Sequence, residues 1–181
     1  MGLEILGNRF YRKADDGHFV EVSLEDLKAC EFLCLLFTAA WSPPCRIFTP
    51  KFGQAVDVLR NESHIFKVCF ISSDRNEDEW AAYFRTMPAE GWFAIPYSER
   101  SVSLSLKQHF GVSKIPRLVV LDPATGQPVV SQAKSIDYFS LDVSRKRVLR
   151  TYGSLLALKR AKAAEAALED TMKGQHGSGY E

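Results

Sequence analysis

The sequence contains few cysteines, only four in 181 residues. That number is too low for a disulfide scaffold, which small secreted domains build from closely spaced cysteines. Cys34 and Cys69 lie within apolar, strand-like runs, which favours a role in core packing for both. Cys30 and Cys34 lack a second pair of Cys or His ligands, so no zinc site is expected. The cysteine pattern predicts a reducing compartment, the cytoplasm or the nucleus.

Long apolar runs and a surplus of charge are also missing. No segment reaches the roughly 18 apolar residues of a membrane-spanning helix, and we expect no secretory signal sequence. The net charge of +1 argues against nucleic acid as the main partner, because phosphate binding requires a basic surplus. An apolar content of 46% and a charged content of 25% are ordinary for a globular domain. We therefore expect a soluble monomer that binds neither nucleic acid nor membranes.

The chain changes periodicity at the hexapeptide Trp41-Ser42-Pro43-Pro44-Cys45-Arg46. Residues 32–37, before it, are continuously apolar, which is typical of a strand buried on both faces. After it, apolar side chains recur at helical spacing. The first turn of a helix tolerates the prolines, because N–H groups there have no helical partner. The pattern predicts a helix with Ser42 as N-cap and Cys45 in its first turn, where the helix dipole and Arg46 favour the thiolate.

The hexapeptide resembles the Trp-Cys-Pro-Pro-Cys-Arg site of tryparedoxins and, more broadly, of nucleoredoxin-type proteins. Further pieces match in the family's order and approximate spacing over roughly residues 8–135: Phe48-Thr49-Pro50, Ile71-Ser72-Ser73-Asp74, Tyr83-Phe84, Met87-Pro88, Ala94-Ile95-Pro96-Tyr97 and Ile115-Pro116. The first cysteine of the family's pair is Ser42 here. The resemblance implies that Cys45 matches the less exposed, resolving cysteine, and that the Ile115–Pro116 peptide bond is cis.

The resemblance and the order of elements imply the same α/β fold. We expect a thioredoxin-like fold with a central mixed β-sheet flanked by helices, an N-terminal β-hairpin and a C-terminal helical extension. The pattern predicts a hairpin over residues 9–22, a helix at 24–29, a strand at 32–37, a helix from Pro43, a strand at 66–72, a helix opened by the acidic run 74–79, a loop at 88–96, a helix ending at Gly111, strands at 118–122 and 128–131, and a closing helix from Ser144.

We divide the chain into two parts. Residues 1–157 are the predicted thioredoxin-like domain, and residues 158–181 are a helical extension with a flexible tail. The extension is rich in Ala, Lys and Glu and poor in large apolar residues, so it is expected to be solvated. The tail from Gly174 to Glu181 is predicted to be disordered.

The resemblance implies the lineage of thiol–disulfide oxidoreductases, which act on protein thiols and disulfides, with no bound cofactor and no metal. A dithiol cycle needs one thiolate that attacks a disulfide and a second thiol that releases the mixed disulfide. The hydroxyl of Ser42 can do neither, so ordinary two-thiol turnover is excluded. We expect at most a monothiol reaction through Cys45, completed by an external thiol such as glutathione or a bis-thiol.

Other interpretations remain open at this stage. In the first, the protein is a catalytically inactive module that binds extended peptides. The binding surface is formed by Trp41, Pro43, Pro44, Arg46, Ile115 and Pro116. Alternatively, Cys45 is an inert packing residue and Ser42 is only a helix cap worth about 1 kcal/mol. In a third interpretation, Ser42 is an engineered replacement for a cysteine, and the natural protein is an ordinary oxidoreductase. The basic residues from Arg145 to Lys162 have two interpretations. They bind an acidic partner or a membrane surface, or they form the solvent-exposed face of the closing helix.

Overall fold

Six strands form one mixed sheet in the order β2-β1-β5-β4-β3-β6. The structure is a computed structural model that describes residues 2–130 and 142–176. After a 3-10 turn at Leu3–Leu6, the elements are β1 (Phe10–Lys13), β2 (Phe19–Val22), α1 (Leu24–Lys28), β3 (Phe32–Thr38), α2 (Pro43–Asn61), β4 (Phe66–Ser72), α3 (Glu77–Arg85), β5 (Trp92–Ala94), α4 (Arg100–His109), β6 (Arg117–Leu121) and α5 (Arg145–His176). This is the expected thioredoxin-like α/β architecture with its N-terminal hairpin.

Strand β3 is the centre of the sheet. It pairs in parallel with β4 and antiparallel with β6, and all seven of its residues are buried. Its side chains alternate between two apolar clusters, so the prediction of a strand covered on both faces is confirmed. Phe37 pairs with Ile71 of β4 and with Arg117 of β6. The carboxyl ends of β3 and β4 therefore share one edge of the sheet with the start of β6.

The two apolar clusters lie on opposite faces of the sheet. One cluster joins α2, α3 and α5 to the sheet and contains most of the aromatic side chains. The other joins the N-terminal turn, α1 and α4 to the opposite face. Each Phe or Leu that is fully removed from water stabilises the fold by about 1.5–3 kcal/mol. Since β3 contributes to both clusters, it couples the two faces.

The sequence prediction missed one strand and placed another where none forms. The predicted loop at 88–96 contains the short strand β5, which pairs in parallel with β4 and antiparallel with β1. A strand of three residues between prolines carries too little local pattern to be recognised. Residues 128–130 form no strand: Pro128 makes an isolated bridge to Leu121, and the proline has no N–H to extend a ladder. Ser131 lies outside the described residues.

Helix α5 runs without interruption across the predicted domain boundary between residues 157 and 158. Every residue from 160 to 175 is exposed, which confirms a solvated extension. Residues 174–176 are the end of this helix, so the predicted disordered tail begins too early; residues 177–181 lie outside the described part. Within the described ranges, no helix is both long and apolar enough to cross a bilayer.

Phe52 of α2 tests the packing of the first cluster. The side chain is fully buried, with its ring centroid 5.8 Å from those of both Phe48 and Trp92. We expect Phe52→Ala to lower the free energy of unfolding by about 3–5 kcal/mol, because it leaves a cavity in the core. Urea denaturation followed by circular dichroism measures the change. The matched control is Ile47→Ala on the same helix, where the side chain is 60% exposed and the expected change is below about 0.5 kcal/mol. Equal effects of the two substitutions would contradict the packing described.

Candidate functional site

The turn between β3 and α2 begins the site. The Ser42 N–H donates to the carbonyl of Ala39 (3.3 Å), and the Arg46 N–H donates to the carbonyl of Ser42 (3.1 Å). Ser42 is thus the backbone N-cap, with prolines at the first two helical positions, as predicted. Its hydroxyl makes no capping hydrogen bond, so the expected cap contribution of about 1 kcal/mol is wrong. A capping oxygen accepts from the second or third helical N–H; Pro44 has none, and the hydroxyl does not accept from Cys45.

Cys45 is completely buried in the first turn of α2, and Ser42 is only 4% exposed. All four cysteines are free. Cys34 and Cys69 are buried within β3 and β4, which confirms their packing role, and burial raises the pKa of both thiols. Burial also raises the pKa of Cys30 to about 11. None of the other three cysteines belongs to the hexapeptide, so Cys45 is its only sulfur.

A cluster of three buried hydroxyls lies beside Cys45. Thr38 and Tyr83 share a hydrogen bond of 3.0 Å, Tyr83 donates to Thr49 (3.0 Å), and the two threonine oxygens are 3.3 Å apart. Burial raises the pKa of Tyr83, and the hydrogen bonds with Thr38 and Thr49 offset part of this shift. Tyr83 therefore remains a neutral phenol at physiological pH. Sequence reasoning treated Tyr83 only as an apolar face of α3 and missed the cluster, because its members come from three separate elements.

Asp74 anchors the turn that carries the hexapeptide. Its carboxylate accepts hydrogen bonds from the Ala40 N–H (2.8 Å) and the Ser72 hydroxyl (2.7 Å), and the residue is 5% exposed. From sequence, Asp74 was assigned to the acidic start of a helix. The helix begins three residues later, with Asn76 as its N-cap. Asp74 instead bridges the ends of β3 and β4.

Trp41 is held in place although 43% of the residue is exposed. The indole N–H donates to the carbonyl of Ser73 (2.9 Å), and the guanidinium carbon of Arg75 lies 5.5 Å from the ring centroid. Arg46 donates from Nη1 to the carbonyl of Ala40 (2.8 Å). The exposed ring is thus held by the segment that follows β4 and lies beside the guanidinium of Arg75.

The Ile115–Pro116 bond is cis, as the resemblance implied. Both residues are half-buried, and Ile115 packs against the second apolar cluster. Pro116 directly precedes Arg117, which pairs with Phe37 near the end of β3. The register therefore brings the cis proline and the hexapeptide to the same edge of the sheet. Pro43 and Pro44 are exposed on this edge.

A cleft of about 600 Å³ lies beside the hexapeptide. Its lining includes Ala40 and Arg46 from the start of the site, and Met87 and Pro88 from the segment after α3. Tyr83 of the hydroxyl cluster also lines it. No sequence pattern indicated the cleft, because its two walls are distant in the chain. Among the described residues, no group of three or more His, Cys, Asp or Glu side chains is arranged to hold a metal ion.

Asp74→Ala tests the anchor of the turn. The substitution leaves the partly buried Ala40 N–H without its acceptor, so we expect the free energy of unfolding to fall by about 1–3 kcal/mol. Urea denaturation measures this loss, and iodide quenching should increase as Trp41 loosens. Asp74→Asn is the matched control, because its amide oxygen still accepts from Ala40 and should lose less stability. If Asp74→Ala unfolds at the wild-type urea concentration, the carboxylate is not the anchor.

Comparison with known proteins places this geometry in a family. Residues 31–127 match a family described as thioredoxin-like. The chain is 38% identical over 118 residues to tryparedoxin from Trypanosoma brucei brucei, covering 64% of this chain and 76% of that protein. It is 37% identical over 134 residues to probable nucleoredoxin 1 from Arabidopsis thaliana, covering 74% of this chain but only 22% of that longer protein. A solved structure of tryparedoxin II complexed with glutathionylspermidine is 26% identical, with a TM-score of 0.63, covering 75% of this chain and 90% of that one.

Proposed function

The chain belongs to the thioredoxin-like family, in its branch of tryparedoxins and nucleoredoxins, and from this membership we propose that it engages protein thiols and disulfides at the sheet edge that carries Trp41 and Pro116. Its lineage is that of the thiol–disulfide oxidoreductases. The observation that carries the proposal is the position of Cys45, the only sulfur of the hexapeptide, in the first turn of α2. Unpaired backbone N–H groups and the positive end of the helix dipole lie at this turn.

The proposed covalent step uses one protein sulfur. The Cys45 thiolate attacks one sulfur of a partner disulfide, a mixed disulfide forms, and the other partner sulfur leaves as a thiolate. An external thiolate then attacks the partner's sulfur in the mixed disulfide and releases Cys45. The partner ends in a new disulfide with the external thiol. Since Cys45 is fully buried, the first turn of α2 must open before the attack.

A small thiol is proposed as the external reactant, and no bound cofactor is needed. A related tryparedoxin II has been solved in complex with glutathionylspermidine, which supports a thiol of that kind, such as glutathione or a bis-thiol. We propose that the protein acts as a monomer in the cytoplasm or the nucleus, where thiols stay reduced.

Binding without turnover is the second candidate function. The specific observation in its favour is the contrast in exposure: the Trp41 residue is 43% exposed, whereas Cys45 is fully buried and Ser42 nearly so. An extended peptide can pair with the backbone that precedes the cis Pro116 and contact the indole ring. In this role Ser42 and Cys45 only support the surface.

Reduction of insulin disulfides tests the loss of the dithiol cycle. We expect the wild-type protein to give no turbidity above that of the reductant alone, because a serine hydroxyl forms no disulfide. Ser42→Cys should restore turbidity by supplying the second sulfur. Ser42→Ala is the matched control and should remain inactive. Wild-type activity equal to that of Ser42→Cys would overturn the role given to Ser42.

Alkylation separates the two candidate functions. Native protein is treated with iodoacetamide near pH 7, and the modified cysteines are mapped by mass spectrometry. The monothiol function predicts that Cys45 reacts much faster than the buried Cys34 and Cys69. The binding function predicts that all three react equally slowly. Cys30 should also react slowly, because its raised pKa of about 11 keeps it protonated, and all four should react in urea.

A further inference from the structure

Several side chains near Trp41 are cationic and form no ion pair within the described residues. Four cations lie on or beside this sheet edge, and we call them the cationic rim: Arg46, Arg75, Lys114 and Arg117. None of the four forms an ion pair with a carboxylate in the described part of the chain, whereas Arg9, Arg60 and Arg145 elsewhere each do. The charge of the rim is therefore available to a partner.

One member of the rim lies over the indole, and another lies in the first turn of α2. Arg75 is exposed and lies over the Trp41 ring, with 5.5 Å between the guanidinium carbon and the ring centroid. Arg46 is exposed as well, and among the described residues its side chain donates one hydrogen bond, to the carbonyl of Ala40. Both guanidinium groups keep N–H donors free for a carboxylate.

The other two members border the cis proline. Arg117 follows Pro116 directly and is half-buried, and its Nε lies in the interior with no hydrogen-bond partner among the described residues. A buried guanidinium N–H without an acceptor is costly. Lys114 is exposed three residues upstream. An extended chain that pairs with the backbone before Pro116 therefore lies along the segment that carries Lys114 and Arg117.

Within the described residues, no acidic group of this edge forms an ion pair with a side chain of the rim. Asp74 is buried and already accepts from Ala40 and Ser72. Glu79 accepts from the backbone N–H of Arg75, not from its side chain. Glu77 and Asp78 lie in the first turn of α3, where the helix dipole favours negative charge.

Apolar surface lies between the cations. Besides Trp41, the exposed residues of the first two turns of α2 include Pro43, Pro44 and Ile47, the last of them 60% exposed. An apolar side chain of a partner can therefore pack on this surface while flanking carboxylates reach the rim.

We propose that the partner segment is an acidic extended peptide, in which an apolar residue is flanked on both sides by Asp or Glu. The apolar side chain packs on Trp41, one carboxylate pairs with Arg46 or Arg75, and the other reaches Arg117 or Lys114. The inference rests on the proposed engagement of a peptide at this edge, which both candidate functions share. It adds the charge of the partner, which neither function specifies.

Fluorescence anisotropy with the full chain tests the partner's charge. The probes are three fluorescein-labelled peptides that share a central Phe and differ only in its flanking residues, which are Asp and Glu, Asn and Gln, or Lys. We expect the acidic peptide to bind about tenfold tighter than the neutral one and the basic peptide to bind weakest. The preference should shrink as salt is raised from about 0.05 M to about 0.5 M.

Charge reversal locates the preference. Arg75→Glu should remove most of the tenfold difference between acidic and neutral peptides, and Arg117→Gln should reduce it. The matched control is Arg160→Glu, which makes the same change at an exposed site of α5. This site is far from the rim, because the neighbouring Lys159 donates to the carbonyl of Glu31, just before β3 and at the opposite edge of the sheet. Arg160→Glu should keep the wild-type preference.

The outcomes separate this inference from the proposed function. Equal binding of all three peptides, lost in Trp41→Ala, overturns the acidic partner but keeps a peptide surface at this edge. Binding of no peptide overturns both. A single-stranded oligonucleotide that binds more tightly than the acidic peptide also overturns the inference, since the rim would then recognise phosphates.

Discussion

The pairing of β3 with a parallel and an antiparallel neighbour is the constraint on which the site depends. The parallel partner β4 ends where β3 ends, and the antiparallel partner β6 begins there. Three segments that are far apart in the chain therefore meet at one edge: the turn into α2, the Ser72–Asp74 segment and the cis Ile115–Pro116 bond. Burial of β3 on both faces keeps this register fixed, because a shift by one residue would exchange the two clusters.

The chemistry of the site is limited by what occupies the first turn of α2. Two prolines remove N–H groups, a serine stands at the N-cap, and the one sulfur is buried. The hydroxyls of Thr38, Thr49 and Tyr83 fill the space beside that sulfur with neutral groups. The surroundings thus hold the turn in place, and the solvent-facing parts of the edge are the indole, the prolines and the cations.

The fold was largely predictable because its main signals are local. A continuous apolar run identified β3, the hexapeptide fixed the start of α2, and Gly111 marked the end of α4. The strand β5 was missed, since its three residues are defined only by pairing with β1 and β4. The hydroxyl cluster and the anchor at Asp74 were missed for a related reason, because hydrogen bonds between residues more than ten positions apart leave no periodic trace in a sequence. The cis Ile115–Pro116 bond was predicted only through the family resemblance.

The serine at the N-cap has a consequence for regulation. A thioredoxin-like site with two neighbouring sulfurs exists in oxidised and reduced forms, and the proportion of each follows the thiol poise of the compartment. A hexapeptide with one sulfur cannot form a disulfide within itself, so an oxidant cannot switch the turn into α2 between a dithiol and a disulfide form.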